Sequence, residues 1–274
     1  MTKKIDEEAL AEAYNRALAL EKAGRVDEAV AAYHEVLAID PDDHGGAAVR
    51  IASMGRGETP MKAPDAYVET LFDQHAEVFD DVLVEQLGYC VPLMVRQKLT
   101  DLGLGPFARV LDLGCGTGLT GSALRDMAED ITGIDLSENM VELAHEKDVY
   151  ETLYVAEVVD FLDDNDDAPF DLVTATDVLP YMGALEPLFF GVTDNLNPGG
   201  LFVFSSETLP DDTMAGRGFM VGPHQRFAHA GTYVRERLAE TGFSLVDIAD
   251  ITVRMEEGEP IAGHLVVARR NPDE

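Results

Sequence analysis

The sequence predicts an α/β fold in which a mostly parallel, seven-stranded sheet ends in an antiparallel hairpin and follows a small all-α module. Three observations carry this reading. Short β-rich runs, RVLDLG, ITGIDL, TLYVAEV, FDLVTATDV and LFVFSSE, alternate with helical stretches long enough to serve as crossovers, the pattern of a parallel sheet covered on both faces. The tail differs, because FSLVDIADITVRM and GHLVVARR are separated only by EEGEPIA, and two long strands joined by a turn pair antiparallel. The opening segment has apolar positions at helical spacing and no strand pattern.

From Leu10 to Asp43 the chain reads as two amphipathic helices, broken at Gly24-Arg25 and stopped at Pro41. Gly24, Ala29, Tyr33 and Pro41 resemble the spacing of one tetratricopeptide repeat: small residues where paired helices touch, an aromatic between them, and a proline ending the second. HGGAAVRIASMGRG supplies a further helix, and Gly55–Pro64 reads as a linker. So short an array cannot bury its own faces, since about three units are usually needed. The module should therefore pack on the rest of the chain or on a second copy, and a homodimer through it is one expectation. A plain packing hairpin and a peptide-binding groove both stay open. Between Pro64 and Gly105, Tyr67, Leu71, Phe72, Ala76, Phe79, Val82, Leu83 and Leu87 recur at helical spacing, with another helix after Pro92. The expected divisions are a helical module over 1–54, a linker and helical segment over 55–105, and the sheet domain over 106–274.

At 274 residues, 46% apolar and 26% charged, the chain suffices for one α/β core of roughly 150 to 200 residues plus something smaller. The 52 acidic against 20 basic residues leave a formal net charge of −32, which repels a phosphate backbone and argues against nucleic acid as a partner. The opening MTKKIDEEAL is charged throughout and no apolar run approaches the ~20 residues that cross a bilayer. The expectation is a cytoplasmic protein without membrane attachment. Only Cys90 and Cys115 occur, so neither a disulfide framework nor a metal site is expected.

The sharpest signal is VLDLGCGTGLTG over Val110–Gly121, where an apolar strand runs into Gly114, Gly116 and Gly118 before a helix. Glycines there let the backbone bend tightly and let a ligand approach the peptide groups. Gly116, Gly118 and Gly121 also satisfy G-x-G-x-x-G, so a dinucleotide must be weighed. Asp112 opposes it, because a carboxylate at the strand end repels a pyrophosphate. S-adenosylmethionine lacks phosphate and carries an ammonium and a sulfonium, which an acidic loop suits. Asp135, at the end of ITGIDL and roughly 20 residues further on, can accept hydrogen bonds from ribose hydroxyls in either case. An oxidoreductase using NAD is further opposed by the absence of a Tyr-x-x-x-Lys pair.

DLGCGTG, IDLSENM, FDLVTATDVL and LNPGGLFVFS, in that order, resemble the successive motifs of the class I methyltransferases over about Phe107 to Arg270. The resemblance implies a Rossmann-like fold, S-adenosyl-L-methionine as cofactor and methyl transfer as activity. It places Asp112 near the methionine ammonium, Gly114 and Gly116 under the cofactor, Asp135 on the ribose and Met140 or its neighbour close to the adenine. Glu157 in YVAEVVDFL stands where the family more often has an aspartate on the adenine amino group. Gly118, Leu136, Val158 and Thr176 complete the expected cofactor contacts. It also implies that Tyr67–Tyr89 forms a helical lid, with Tyr67 or Phe72 lining the pocket, while Phe79 and Leu83 read as ordinary packing residues.

Ligands of open α/β sheets collect at the carboxyl ends of strands, so Thr176-Asp177-Val178-Leu179-Pro180-Tyr181 should face the acceptor, with Asp177 and Tyr181 foremost. In GRGFMVGPHQRFAHAGTYVRERLAETGF the glycines Gly216, Gly218 and Gly222 read as an irregular loop before a helix starting near Ala230. There His229 is a candidate general base and Arg226 a candidate clamp for a substrate carboxylate, with a capping histidine and a surface arginine as the plainer alternatives. The leading expectation is methyl transfer to oxygen, nitrogen or sulfur of a small molecule. A protein methyltransferase or adaptor that recruits a peptide through the helical repeat is the alternative.

Overall fold

The computed structural model describes residues 5–272 of the chain. Residues 1–4, part of the opening segment behind the expectation of no membrane attachment, lie outside the described residues. Helices α1 (Glu7–Lys22) and α2 (Val26–Ile39) form the expected antiparallel pair and α3 (Ala47–Ser53) follows. Asp6 caps α1 by accepting from the Ala9 N–H at 3.1 Å, a contact that satisfies one of the first-turn donors left without an intrahelical partner. Ala13, Ala17, Ala29, Ala32, Tyr33 and Val36 pack between the helices, so the small-aromatic pattern is a helix-pairing pattern.

Next come α4 (Asp65–His75), a 3-10 turn (Ala76–Val78), a π-helical turn (Asp81–Gln86) and α5 (Val91–Asp101). The sheet then begins with β1 (Phe107–Leu113), α6 (Leu119–Leu124), β2 (Ala128–Asp135), α7 (Glu138–Glu146), β3 (Thr152–Val155), α8 (Val158–Asp164) and β4 (Phe170–Ala175). It ends with α9 (Glu186–Asn195), β5 (Leu196–Glu207), α10 (Asp211–Met214), β6 (Phe219–Val221), β7 (Phe227–His229), α11 (Gly231–Glu240), β8 (Phe243–Glu256) and β9 (Glu259–Arg270). No helix of the described residues is long and apolar enough to cross a membrane.

The sheet runs β3-β2-β1-β4-β5, parallel throughout, and continues with β9 antiparallel to β5 and β8 antiparallel to β9. These are the seven strands the sequence predicts. Two more are present among the described residues: β6 and β7 pair antiparallel where the glycines suggested an irregular loop. Glu207, the last residue of β5, pairs with Gly263 of β9 and with Ala228 of β7. The three-residue strands are too short to show a period, and Gly218 is bare because a Cβ there would come within 2.7 Å of the Tyr233 ring, a packing demand unrelated to looseness.

Alternation sorts the strands' apolar residues onto two faces. Leu111, Leu113, Val173, Phe202, Phe204 and Val266 face one core, and Val110, Leu172, Leu201, Val203, Leu265 and Val267 face the other. A third contact joins the helical module to the sheet domain, where Val49 of α3 is buried with Ala63, Val221 and Phe227 against Tyr67, Val68 and Tyr181. The module thus packs on its own chain, one of the two outcomes foreseen for so short an array.

Candidate active site

A cleft of about 900 Å3, measured to its open mouth, lies at the carboxyl ends of β1, β2 and β4, where such sheets bind ligands. Its floor is the turn after β1. Gly114 (φ 61°) and Gly116 (φ 53°) adopt left-handed backbone, and a Cβ on Gly114 would come within 2.5 Å of Val178 Cγ2. The Gly116 N–H donates to Asp135 Oδ2 at 2.8 Å and the Ser137 N–H to Asp135 Oδ1 at 2.9 Å. Those two bonds aim the carboxylate into the cleft, and burial raises its pKa above the ordinary range. Leu136, Glu157 and Val158 continue the wall from β2 and β3. Glu157 caps α8 through Oε2, which accepts from the Val159 and Asp160 N–H groups at 2.7 and 2.9 Å, while Oε1 stands 3.7 Å from Lys62 Nζ.

Several expected site residues lie elsewhere. Asp112 is buried under the turn, where Oδ2 accepts from the Tyr150 hydroxyl and Oδ1 from Thr174 Oγ1, both at 2.8 Å. It is not among the residues of the cleft wall, and burial pushes its pKa up to about 6. Its role is to hold Tyr150, whose hydroxyl also accepts from the Gly121 N–H at 3.2 Å. Gly121 and Gly133, the latter within β2, are bare for that ring, which a Cβ on either would strike at 2.5 and 2.8 Å. Gly118 (φ 89°) starts α6 behind the wall. Met140 is fully buried in α7, away from the cleft.

The far half of the cleft is aromatic. Phe72 meets Phe79 and Tyr181 edge to face, with centroids 5.8 and 5.3 Å apart, and Leu83, Tyr89, Pro92, Leu119 and Met182 complete the wall. Phe79 and Leu83 are thus cleft residues and not mere packing; they follow Phe72 at helical spacing, a signal the sequence did contain. Tyr67 turns the other way and packs against Gly46 of the helical module. Lys62 and Ala63 reach the wall because the linker pairs with the loop after β4: Lys62 bridges Met182, and the Ala63 N–H donates to Tyr181 O at 2.8 Å. Pairing between such distant segments leaves no local sequence signal.

Thr176 and Asp177 sit where expected. The hydroxyl of Thr176 bonds that of Thr120 at 2.7 Å. Asp177 has φ 62°, a conformation that non-glycine residues adopt at a cost and that clusters at functional sites, and its N–H donates to Ser205 Oγ at 3.0 Å. Arg226 is not free to clamp a substrate. Nη2 pairs with Asp177 Oδ1, Nε with Glu207 at 2.7 Å, and Nη1 donates to the Tyr181 hydroxyl at 2.6 Å. It positions Asp177 and Tyr181. Burial raises the pKa of Asp177 against the pull of Arg226; burial also opposes the charge of Glu207, but Arg226 and Arg254 hold its pKa below the ordinary value. His229 is fully buried in β7. A carbonyl can only accept, so Nε2–H donates to Gly183 O at 3.1 Å, and burial lowers the ring's pKa to about 4. It cannot reach the cleft as a general base.

The walls fit S-adenosylmethionine. The bare floor at Gly116, where a Cβ would meet nothing within 4 Å, admits a ligand against the peptide groups, and Asp135 offers acceptors for a pair of hydroxyls. The acids Asp65, Asp135, Glu157 and Asp177 outnumber the single cation Lys62 among the lining charges, which suits a cationic cofactor and opposes a pyrophosphate.

A methyltransferase-domain family model matches residues 111–202, and a tetratricopeptide-repeat model matches residues 11–43. The chain is 26% identical over 185 residues to a carboxy-S-adenosyl-L-methionine synthase of Campylobacter fetus, spanning 65% of this chain and 78% of that protein. It is 31% identical over 101 residues to a ubiquinone biosynthesis O-methyltransferase of Idiomarina loihiensis, spanning 36% and 42%. Among solved structures, an S-adenosylmethionine-dependent methyltransferase from Clostridium acetobutylicum has a TM-score of 0.55 at 17% identity and covers 73% of this chain and 99% of its own. The N-methyltransferase NodS of Bradyrhizobium japonicum, in complex with S-adenosyl-L-homocysteine, has a TM-score of 0.51 at 21% identity, covering 66% and 86%. These two likenesses show the shared fold.

Proposed function

We propose that this chain, a class I S-adenosylmethionine-dependent methyltransferase with an N-terminal tetratricopeptide-like segment, methylates an oxygen, nitrogen or sulfur atom of a small molecule. The observation that carries the proposal is the aromatic half of the cleft, closed by Phe72, Phe79, Tyr89 and Tyr181. The same cleft takes in the glycine turn, Asp135 and these rings, an apolar wall with a few placed polar groups of the kind that small-molecule sites present. Relatives whose names specify a small-molecule pathway, such as the ubiquinone biosynthesis O-methyltransferases, support the same class.

Bound S-adenosylmethionine supplies an electrophilic methyl group. The chain's own residues divide the remaining work. Gly114, Gly116 and Leu136 seat the cofactor, Asp135 accepts from the ribose hydroxyls, and Glu157 Oε1 with Val158 meets the adenine. Thr176 and Asp177 border the acceptor, and Asp177, fixed through one oxygen by Arg226, uses the other to orient it and take up a proton. Phe72, Phe79 and Leu83 exclude water. Alignment of this kind supplies most of what a displacement needs. The helical repeat serves internal packing in this reading, because the Val49 face is buried on the sheet domain; a homodimer through its outer face remains part of the proposal. A reducing, cytoplasmic setting is part of it too, being one in which unpaired Cys90 and Cys115 persist.

Calorimetric titration with S-adenosylhomocysteine tests the cofactor assignment. Wild-type protein should bind it, and Asp135→Ala should weaken binding by about 10-fold or more, since it removes hydrogen bonds to a charged acceptor. A screen of small phenols, amines and thiols, read by S-adenosylhomocysteine release, then tests the acceptor class. Activity on peptides with none on small molecules would overturn the proposal.

A further inference from the structure

The acceptor half of the cleft has a charge and a shape that select among small molecules. Three rings meet there at steep angles: Phe72 lies at 65° to Phe79 and at 72° to Tyr181, so their planes form two adjoining corners. Asp177 lines the same space, with Oδ1 on Arg226. The cation nearest to it, Arg226, has all three nitrogens committed to Asp177, Glu207 and Tyr181 and lies over one face of the Tyr181 ring, 4.9 Å from its centroid. Behind it Arg254 pairs with Glu207 and Glu256, and Glu256 lies 3.3 Å from His224. Carboxylates outnumber guanidiniums three to two in this network. Lys62, whose backbone bridges Met182 beside Tyr181, is itself committed, to Asp65 at 2.9 Å and toward Glu157 at 3.7 Å.

An anionic acceptor finds no uncommitted cation here, whereas a positive charge finds ring faces and a carboxylate, the combination that binds ammonium groups. We propose that the acceptor subsite binds a cationic nitrogen compound, an amine as its ammonium, between Phe72, Phe79 and Tyr181 and against Asp177. This deepens the reading of the chain as a small-molecule methyltransferase and rests on it. Transfer of one proton from the bound ammonium to Asp177 Oδ2 converts RNH3+ to RNH2 and the carboxylate to its acid, which frees the nitrogen lone pair with atoms and charge conserved.

Three probes of nearly one size that differ in charge test it on the full chain saturated with S-adenosylhomocysteine: benzylammonium, benzyl alcohol and benzoate. Calorimetry should show the cation bound about 10-fold or more tightly than the alcohol, and benzoate more weakly than either. Asp177→Asn should abolish the preference while leaving S-adenosylhomocysteine affinity in place, which also shows that the variant folds. Phe72→Leu, which keeps an apolar side chain but removes a ring, should lower affinity for the cation and not for the alcohol. Equal binding of cation and alcohol, tighter binding of benzoate, binding of none of the three, or a preference that survives Asp177→Asn overturns the inference. None of these outcomes touches the cofactor assignment, which stands or falls on S-adenosylhomocysteine binding alone.

Discussion

Asp112 and His229 are both buried ionisable groups, and burial moves them in opposite senses. For His229 the folded pKa falls from 6.5 to about 4, because the ring is held neutral. Its contribution to stability is complete above about pH 6.5 and is lost as pH falls toward about 4. For Asp112 the folded pKa rises from 3.8 to about 6, so its contribution is complete below about pH 3.8 and is lost as pH rises through about 6. Each amounts to about 3 kcal/mol across its window, and the windows overlap, so in the wild type the two partly cancel. Urea midpoints measured at several pH values should separate them. Relative to wild type, His229→Gln should gain stability as pH falls from about 6.5 to 4, and Asp112→Asn should gain as pH rises from about 4 to 7. A flat difference for His229→Gln would mean a ring with an ordinary pKa and would restore it as a candidate base. Neither burial was legible in sequence: the types and spacing of Asp112, Arg226 and His229 suited chemistry, and only three-dimensional packing shows that Tyr150 holds Asp112, Glu207 holds Arg226 and Gly183 takes Nε2–H of His229.

The segment from α4 through the π-helical turn has two specific attachments near its middle. Asp73 Oδ1 accepts from Ser137 Oγ at 2.5 Å, and Asp80 accepts from Thr117 Oγ1 at 2.5 Å and from Lys147 Nζ at 2.7 Å. Thr117 belongs to the glycine turn and lines the cleft, so the second attachment ties the covering segment to the floor of the cleft. Each bond contributes about 1 kcal/mol, and the segment's interrupted helical structure offers little to replace them. Asp80→Ala should therefore quicken hydrogen exchange over residues 65–87 and raise the dissociation rate of S-adenosylhomocysteine by roughly 5- to 10-fold. Stopped-flow dissociation checks this, and an unchanged rate would show that the segment does not gate the cofactor. At this scale the sequence was most readable where period and composition act locally. The alternating runs located β1 to β5, β8 and β9, and Gly114 and Gly116 marked the turn that floors the cleft. It was least readable where long-range pairing decides the outcome, as when Lys62 joins Met182 or when β6 and β7 pair across a stretch rich in glycine.

On the scale of the whole molecule, the helical module is continuous with the cleft wall. Gly46 precedes α3 in left-handed backbone (φ 67°), and a Cβ there would come within 2.7 Å of the Tyr67 ring. Tyr67 stands on α4, the helix that carries Phe72, and it packs in one cluster with Val49, Ala63, Val221, Phe227 and Tyr181. Ala63 and Tyr181 line the cleft and are bonded to each other. Displacement of Tyr67 thus has a short path of packed atoms to the acceptor wall, and interiors at protein density transmit such strain. Gly46→Ala adds one methyl group far from the cleft in sequence. Backbone strain of about 1–3 kcal/mol, with the clash against the ring added, should lower the melting temperature by several degrees. If the module supports the cleft, hydrogen exchange should also quicken over residues 60–64 and 179–184, where the linker pairs with the loop after β4. If exchange rises only within residues 7–54, the module's packing ends at its own face, and the linker holds its place in the wall without it.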